Sequence, residues 1–545
     1  MNVTTIKSKL PFFKGSGEGK PLTNWMGITP EQWKLGITVF SGKMIAVLIL
    51  LTGMITLPGL LGSTTAHAAT AGPTAIETSI MNSVNTTWTL VAAFLVFGMQ
   101  AGFVMLEAGF ARTRETVNVL MECIFDTCLC GILFWAIGYA FMFGHGNGFI
   151  GWGGLLKDGK TIQDWFFLKG TPETYEATGI PILAHWVFQF AFADTTSTIT
   201  SGAMIGRCGF RGDILYSIGV TGFIYPIIGH WAWGPDGWLV TMGSKGGFME
   251  TLGQPFHDFA GSTVVHTIGG VVSLAGAMVL GPRIGRVFKR DSKDGGMPAP
   301  HNLPVATVGA FLLWFGWYGF NPGSTLSAMD ADGIGRIAFN TTIAACTGGL
   351  GAMICALWIG PTKGKFDIGF TLNGLLAGLV AITCPCYWVS PLGAVLIGFV
   401  AGVVVFAGTY LLEYTRIDDP IGAVPVHGMA GIWGTISLGF FACPGIKLGG
   451  YPASVALSGL FYGGGTAVLK AQVIGSATIT IATFVVAFAM MWVINKLPHP
   501  WKLRVEEHGE TGPGGLDVFE HGISAYPDLV EDIDLAKLAA PELVK

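Results

Sequence analysis

The sequence predicts an all-α polytopic membrane protein, a class set by three observations. Charged residues make up only 12% of the 545 positions, mean hydropathy is +0.57 and 81 residues are glycine. That profile is far from a soluble core and suits helices that approach closely in lipid through small side chains. Eleven apolar runs are each about 20 residues long, enough to cross a bilayer as a helix. One frame occurs twice, as DFAGSTVVHTIGG from Asp258 and DPIGAVPVHGMAG from Asp419. The formal net charge of −4 supplies no basic surface for nucleic acid.

Ahead of the spans, lysines from Lys7 to Lys43 precede the apolar run MIAVLILLTGMITLPGLLG and the small-residue sequence AHAAT. Residues 1–68 therefore have the layout of a signal peptide with a long n-region and a cut after Ala68, an uncleaved anchor helix being the alternative. The spans follow at 86–109, 118–143, 181–206, 213–233, 258–281, 303–320, 337–360, 368–388, 391–412, 420–442 and 471–496. Lysine and arginine concentrate in alternate loops, among them Arg112, Arg114, Arg207, Arg211, Arg283 and Arg286, and at the start of the tail. By the positive-inside rule this places the mature N-terminus outside and the C-terminus inside.

The repeated frame reads D-x-x-G-x-x-x-V-H-x-x-x-G and opens the fifth and tenth spans, which run in opposite directions. Five spans followed by five inverted ones, plus one more, is the trace of an inverted repeat, whose substrate site lies near the midplane. The expected domains are a first repeat over 86–281, a second over 303–442, an eleventh helix over 471–496 and a cytosolic tail over 497–545.

Asp258 and Asp419 each precede a helical run and suit the N-cap position, with Pro420 at the first helical position of the second copy. His266 and His427 lie eight residues beyond their caps, about 12 Å along a helix axis. Entering a core of about 30 Å from opposite faces, the two imidazoles reach neighbouring depths. A lone intramembrane histidine also serves as an interhelical hydrogen bonder; a converging pair points to a pathway able to pass a hydrogen bond or a proton. A metal site is the rival reading, but the sequence puts no Cys, Asp or Glu at that depth to complete a coordination shell.

HWAWG (230–234) places Trp231 and Trp233 near the outer surface, as membrane anchors or as π faces for a small cation. FQFAFAD (188–194) and WYGFNPGST (317–325) supply Phe192, Phe320 and Ser324; phenylalanine in a membrane helix is more often packing. The nine cysteines show neither zinc-finger nor redox spacing and read mostly as buried small side chains.

The strings FGMQAGFVMLEAG, FQFAFA with ITSGAMIGR, YPIIGHWAWG, DFAGSTVVH, WYGFNPGST, DDPIGAVPVHG and GLDVFEHG occur in order over about 90–525, and together they resemble the ammonium transporter family (Amt/Mep/Rh), its Amt branch above all. The resemblance implies an outer recruitment site of Trp233, Ser324 and Phe192, a gate of Phe192 over Phe320, and a twin-histidine pore of His266 and His427. Asp258 would cap its helix and stabilise a cation at the vestibule. It further implies ammonium or ammonia as substrate with methylammonium as an analogue, a homotrimer surrounded by lipid in the plasma (inner) membrane, and a tail that can meet a PII-type regulator. No catalytic residue, cofactor or metal is implied.

Three departures stand out. Asp194, with Thr195, Thr196 and Ser197, occupies a stretch that is usually small and apolar; it should face away from Phe192 and read as a hydrogen-bond cluster between helices. Gly206 stands where an acidic residue commonly precedes the arginine, and the tail is longer and more acidic than many. The competing functions are secondary ammonium uptake, an ammonium sensor reporting through its tail, and a gas channel of the Rh type.

Overall fold

The computed structural model describes residues 74–155, 162–361, 364–444 and 457–527. The expected leader over 1–68 and the tail beyond 527 lie outside the described residues. The chain divides into two compact units. The one that takes in the described residues outside 356–365 carries every site discussed below.

In chain order the main helices are α1 (Ala75–Phe110), α2 (Thr113–Phe143), α3 (Ile182–Ser201), α4 (Phe210–Thr241, continuously helical to Trp233), α5 (Ser262–Leu280) and α6 (Leu303–Thr325). They continue as α7 (Ala331–Ile359), α8 (Ile368–Thr383), α9 (Pro391–Thr415), α10 (Val424–Phe441) and α11 (Ala467–Ile494). Among the described residues nine of these are long and apolar enough to cross a membrane. The other two stand where spans were expected and fall short for separate reasons. Helix α3 carries Asp194 and a run of Thr and Ser within its 20 residues, and α8 has only 16.

Helix α1 begins at Ala75 rather than 86, because polar residues extend it beyond its apolar part. Thr74 caps it: its hydroxyl accepts from the Glu77 backbone N–H at 3.3 Å, while the Thr74 N–H donates to Glu77 at 2.7 Å. The all-α expectation is departed from in one place. Between α2 and α3 the chain forms a small antiparallel sheet of β1 (His145–Asn147), β2 (Ile150–Leu155) and β3 (Ile162–Asp164), in that order. The Gly146 N–H donates to Asp236 at 2.8 Å, tying the sheet to the end of α4.

Helices of the first half pack on helices of the second. Helix α6 lies along the Met99–Phe110 part of α1, where glycines on both sides allow backbone contact: a Cβ on Gly102 would meet Leu313 and one on Gly109 would meet Ala306. Helix α5 packs on the first turn of α10, and α10 on the first turn of α5.

At the opposite end from Trp233, Asp418 is buried in a basic nest. It accepts from Arg283 at Nε (2.8 Å), Nη2 (2.9 Å) and backbone N (3.0 Å) and from Arg286 Nε (3.1 Å). Burial alone would raise its pKa; the Arg283 and Arg207 guanidinium groups instead hold it well below the usual carboxylate range. The tail folds back over this end through α12 (Glu507–Thr511) and α13 (Gly515–His521). Asp517 accepts from the Asn118 backbone N–H at 3.0 Å, and His521 Nε2 is 3.0 Å from Asn118 Oδ1.

Candidate functional site

Each copy of the repeated frame folds as a capped turn followed by a wide helical turn. The Asp258 carboxylate accepts from the N–H groups of Gly261 (3.0 Å), Thr263 (3.0 Å) and Val264 (2.9 Å). Asp419 does the same with Gly422 (2.9 Å), Ala423 (3.0 Å) and Val424 (2.8 Å). Both are caps, as expected, and burial pushes both carboxyls up to about 6 against these N–H groups, which lower them. The reversal of direction needs positive φ at the frame's first glycine, +114° at Gly261 and +83° at Gly422. Pro420 therefore lies in the turn and not at the first helical position; the helix starts four residues later, at Val424. The histidines are thus only one helical turn inside their helices, and the 12 Å rise expected from the cap does not hold.

What brings them together is the crossing. Residues Ser262–Thr267 and Val424–Met429 are single π turns. The frame's last glycine in each copy lies against the other copy's π turn. A Cβ on Gly270 would strike the backbone of Gly428, and one on Gly431 would reach Ser262 O at 2.5 Å and Thr267 Oγ1 at 2.6 Å. With no side chains between the backbones, His266 Nδ1 and His427 Nδ1 stand 3.2 Å apart, ring centroids 5.3 Å and planes 26° from parallel. At that distance one Nδ1 carries the hydrogen and the other accepts it, so the pair presents one Nε2–H and one bare Nε2. His266 is fully buried, and its Nε2 makes no hydrogen bond among the described residues.

A column of rings leads to the pair. Phe320 lies 5.4 Å from His266 at 25°, and Phe192 stacks on Phe320 at 4.0 Å and 24°. Trp233 meets Phe192 edge-on at 6.1 Å. Trp233 is half-buried, and Phe192 and Phe320 are closed from solvent. Its Nε1–H donates to the Asp258 carbonyl at 2.7 Å, so the cap also anchors the indole. The Ser324 hydroxyl donates to the Phe320 carbonyl at 2.7 Å, which leaves its oxygen lone pairs to accept from a cationic N–H.

Residues 87–526 match the family model described as Ammonium Transporter Family. The chain belongs to the ammonium transporter family. It is 42% identical over 470 residues to Ammonium transporter Amt2 of Archaeoglobus fulgidus, covering 85% of this chain and 93% of that one. It is 40% identical over 447 residues to a putative ammonium transporter of Synechocystis, covering 81% and 88%. Two solved structures share the fold. One is named Sensor Amt Protein, with a TM-score of 0.68 and 33% identity over 81% of this chain and 99% of that one. The other is Saccharomyces cerevisiae Mep2, with a TM-score of 0.68 and 26% identity over 80% and 91%.

For this ammonium transporter family member, the structure brings Trp233, Phe192, Phe320, His266 and His427 into one file, with Ser324 bonded to Phe320 and Asp258 behind Trp233. Sequence reasoning missed Trp317. Its ring stacks on His266 at 5.1 Å and 20°, and its Nε1–H is fixed by Thr383 Oγ1 at 2.9 Å. Trp317 opens the quoted WYGFNPGST, three residues before Phe320, and that helical spacing was the available signal. Gly206 is explained by its surroundings: φ is +83° and a Cβ would collide with the Glu115 carboxylate. The Asp194 stretch is only partly the expected interhelical cluster. Ser197 donates to Asp126 at 3.2 Å and Thr198 to Gln100 at 2.9 Å, whereas Thr195, Thr196 and Thr200 donate to carbonyls of their own helix. The Asp194 carboxylate accepts no hydrogen bond among the described residues. All nine cysteines are free.

Proposed function

We propose that the chain is a secondary ammonium transporter that recruits NH4+ at Trp233, Phe192 and Ser324, deprotonates it, and conducts NH3 past the Phe192–Phe320 gate along His266 and His427. The observation that carries this reading is the 3.2 Å Nδ1–Nδ1 pair at the foot of a buried stack of aromatic rings. A π face holds a small cation with about 1–2 kcal/mol when partly desolvated, and the Ser324 oxygen accepts one of its N–H groups. Asp258 contributes as a negative charge behind Trp233, since its carboxylate oxygens are engaged in the cap.

Selectivity follows from chemistry. Ammonium resembles potassium in size but donates four hydrogen bonds and can lose a proton, so a dry passage that demands deprotonation rejects potassium. Beyond the gate the Nε2 ends of the histidine pair offer one acceptor and one donor to neutral NH3. If the bare Nε2 takes up the proton that ammonium gives up, the shared Nδ1 hydrogen crosses to the other ring and that ring releases its Nε2–H; this reverses which end is which and carries one proton separately. The membrane context in this reading is a plasma (inner) membrane with N-terminus outside and C-terminus cytosolic, and a homotrimer whose tail meets a PII-type regulator. The neighbour named Sensor Amt Protein, similar over 99% of its own length, favours a second reading, an ammonium sensor that reports through its tail to a separate partner.

Reconstituted protein on a supported membrane tests both. Transport predicts a current evoked by ammonium and methylammonium but not potassium, lowered by Asp258→Ala and His266→Ala. Ammonium binding without any current selects the sensor.

A further inference from the structure

Away from the histidine file, five carboxyl side chains from four helices are sealed in the bundle: Glu107 of α1, Glu122 and Asp126 of α2, Asp194 of α3 and Asp213 of α4, each no more than 2% exposed. Their arrangement follows helical spacing. Glu122 and Asp126 are four residues apart on α2, and Asp194, Ser197 and Ser201 succeed each other at three and four residues on α3, so each set shares one helix face. Ser197 donates to Asp126 at 3.2 Å and Ser201 to Glu107 at 3.4 Å, so the α3 face runs along the carboxyls of α1 and α2. Asp194 is within electrostatic reach of Asp126 and beside the Thr127 and Gln100 side chains; Asp213 is within electrostatic reach of Asp126, Glu122 and Glu107 and beside Tyr216. At the tail end Asn118 Nδ2 donates to Glu122 at 2.8 Å.

The unsatisfied atoms identify what is missing. Among the described residues both oxygens of Asp194, both of Asp213 and Oδ1 of Asp126 have no hydrogen-bond partner, nor do the neighbouring Tyr216 and Ser217 hydroxyls. The other titratable groups facing the five are Cys123, Cys130, Cys208, Tyr216 and, from the tail, Glu520. No base is among them. Arg207, the guanidinium next to Cys208, is directed to the carbonyls of Gly281, Ile205 and Asp418. Buried carboxylates without a cation are unstable. Something positive must be bound, and a proton fits better than a metal ion. A protonated carboxyl turns one acceptor into a donor for its neighbour's orphan oxygen, whereas among the described residues no three acidic, Cys or His groups converge closely enough to hold a metal ion.

We propose that Glu107, Glu122, Asp126, Asp194 and Asp213 form a proton-binding site inside the first half of the bundle, separate from the twin histidines, in which neutral carboxyl groups hydrogen-bond to one another. This inference does not rest on the transport reading.

Infrared difference spectroscopy on the full chain in lipid nanodiscs, in H2O and D2O, tests it through the C=O stretch of protonated carboxyl groups. At pH 7 the band is expected to be present, to shift in D2O, and to lose about one carboxyl equivalent in Asp194→Asn and another in Asp213→Asn. Adding Na+, K+ or NH4+ should leave it unchanged. Absence of the band at pH 7, its persistence at full strength in both variants, or its collapse on adding any of these cations would overturn the proposal, the last in favour of a cation site. Asp126→Asn serves if either variant does not fold. Asparagine replaces a neutral acid almost isosterically, so the melting temperature should stay within a few degrees of the parent; a large loss in all three variants would also count against it.

Discussion

The indole of Trp317 lies against the imidazole of His266, centroids 5.1 Å apart, while its N–H is held by Thr383. The ring of His266 therefore packs against Trp317 and Phe320, which are 5.7 Å from each other, and against His427. Trp317→Phe keeps a flat face on His266 and loses one hydrogen bond, at a cost of about 1 kcal/mol in stability. It should retain most of the ammonium current. Trp317→Leu removes the flat face and should lower the current about tenfold or more, a barrier increase of about 1.4 kcal/mol. Equal currents in both variants would show that the flat face on His266 is dispensable.

The glycines at the crossing make a contrasting pair of expectations. Gly270→Ala and Gly431→Ala drive a methyl group into backbone and should destabilise by about 1–3 kcal/mol or more, with reduced yield and a lower melting temperature in detergent. Gly428→Ala, whose Cβ would find its nearest neighbour at 3.5 Å, should melt close to the parent.

Asp258 sets an acid limit. Its carboxyl, raised to about 6 by burial against its backbone hydrogen bonds, is ionised above that pH and neutral below it. In the proposed mechanism the charged form attracts NH4+ to Trp233, so the current should fall as external pH drops through about 6. Asp258→Asn should give a low current without that inflection; an unchanged inflection would assign it to another group.

Asp418 makes the opposite case at the tail end. Its pKa is depressed in the folded state, so its contribution is present above the unfolded value of about 4 and is lost as pH falls below it. Asp418→Asn leaves Arg283 buried without its partner and should cost about 3–5 kcal/mol, read as a lower melting temperature at pH 7. The gap between variant and parent should narrow in acid.

Much of this was legible in the sequence for a physical reason: apolar length and the D-x-x-G-x-x-x-V-H-x-x-x-G frame are local. Asp258 and Asp419 as caps, and the meeting of His266 with His427, follow from one frame used twice in opposite directions. The last glycine's crossing was not legible, because it depends on what the other copy places there. Trp317 was hidden for the same reason: its partners His266 and Thr383 are 51 and 66 positions away in the chain. The sheet β1–β3 escaped notice because its strands, HGN, IGWGGL and IQD, are too short to show a pattern of their own.

The crossing at Gly270 and Gly431 has a further consequence. Where two main chains touch, their spacing is fixed by peptide geometry, and no exchange of side chains at that level is available to widen or narrow it. The distance between His266 and His427 is thereby set by the backbone and not by neighbouring side chains. The crossing should be the part of the molecule least open to tinkering by selection or by design.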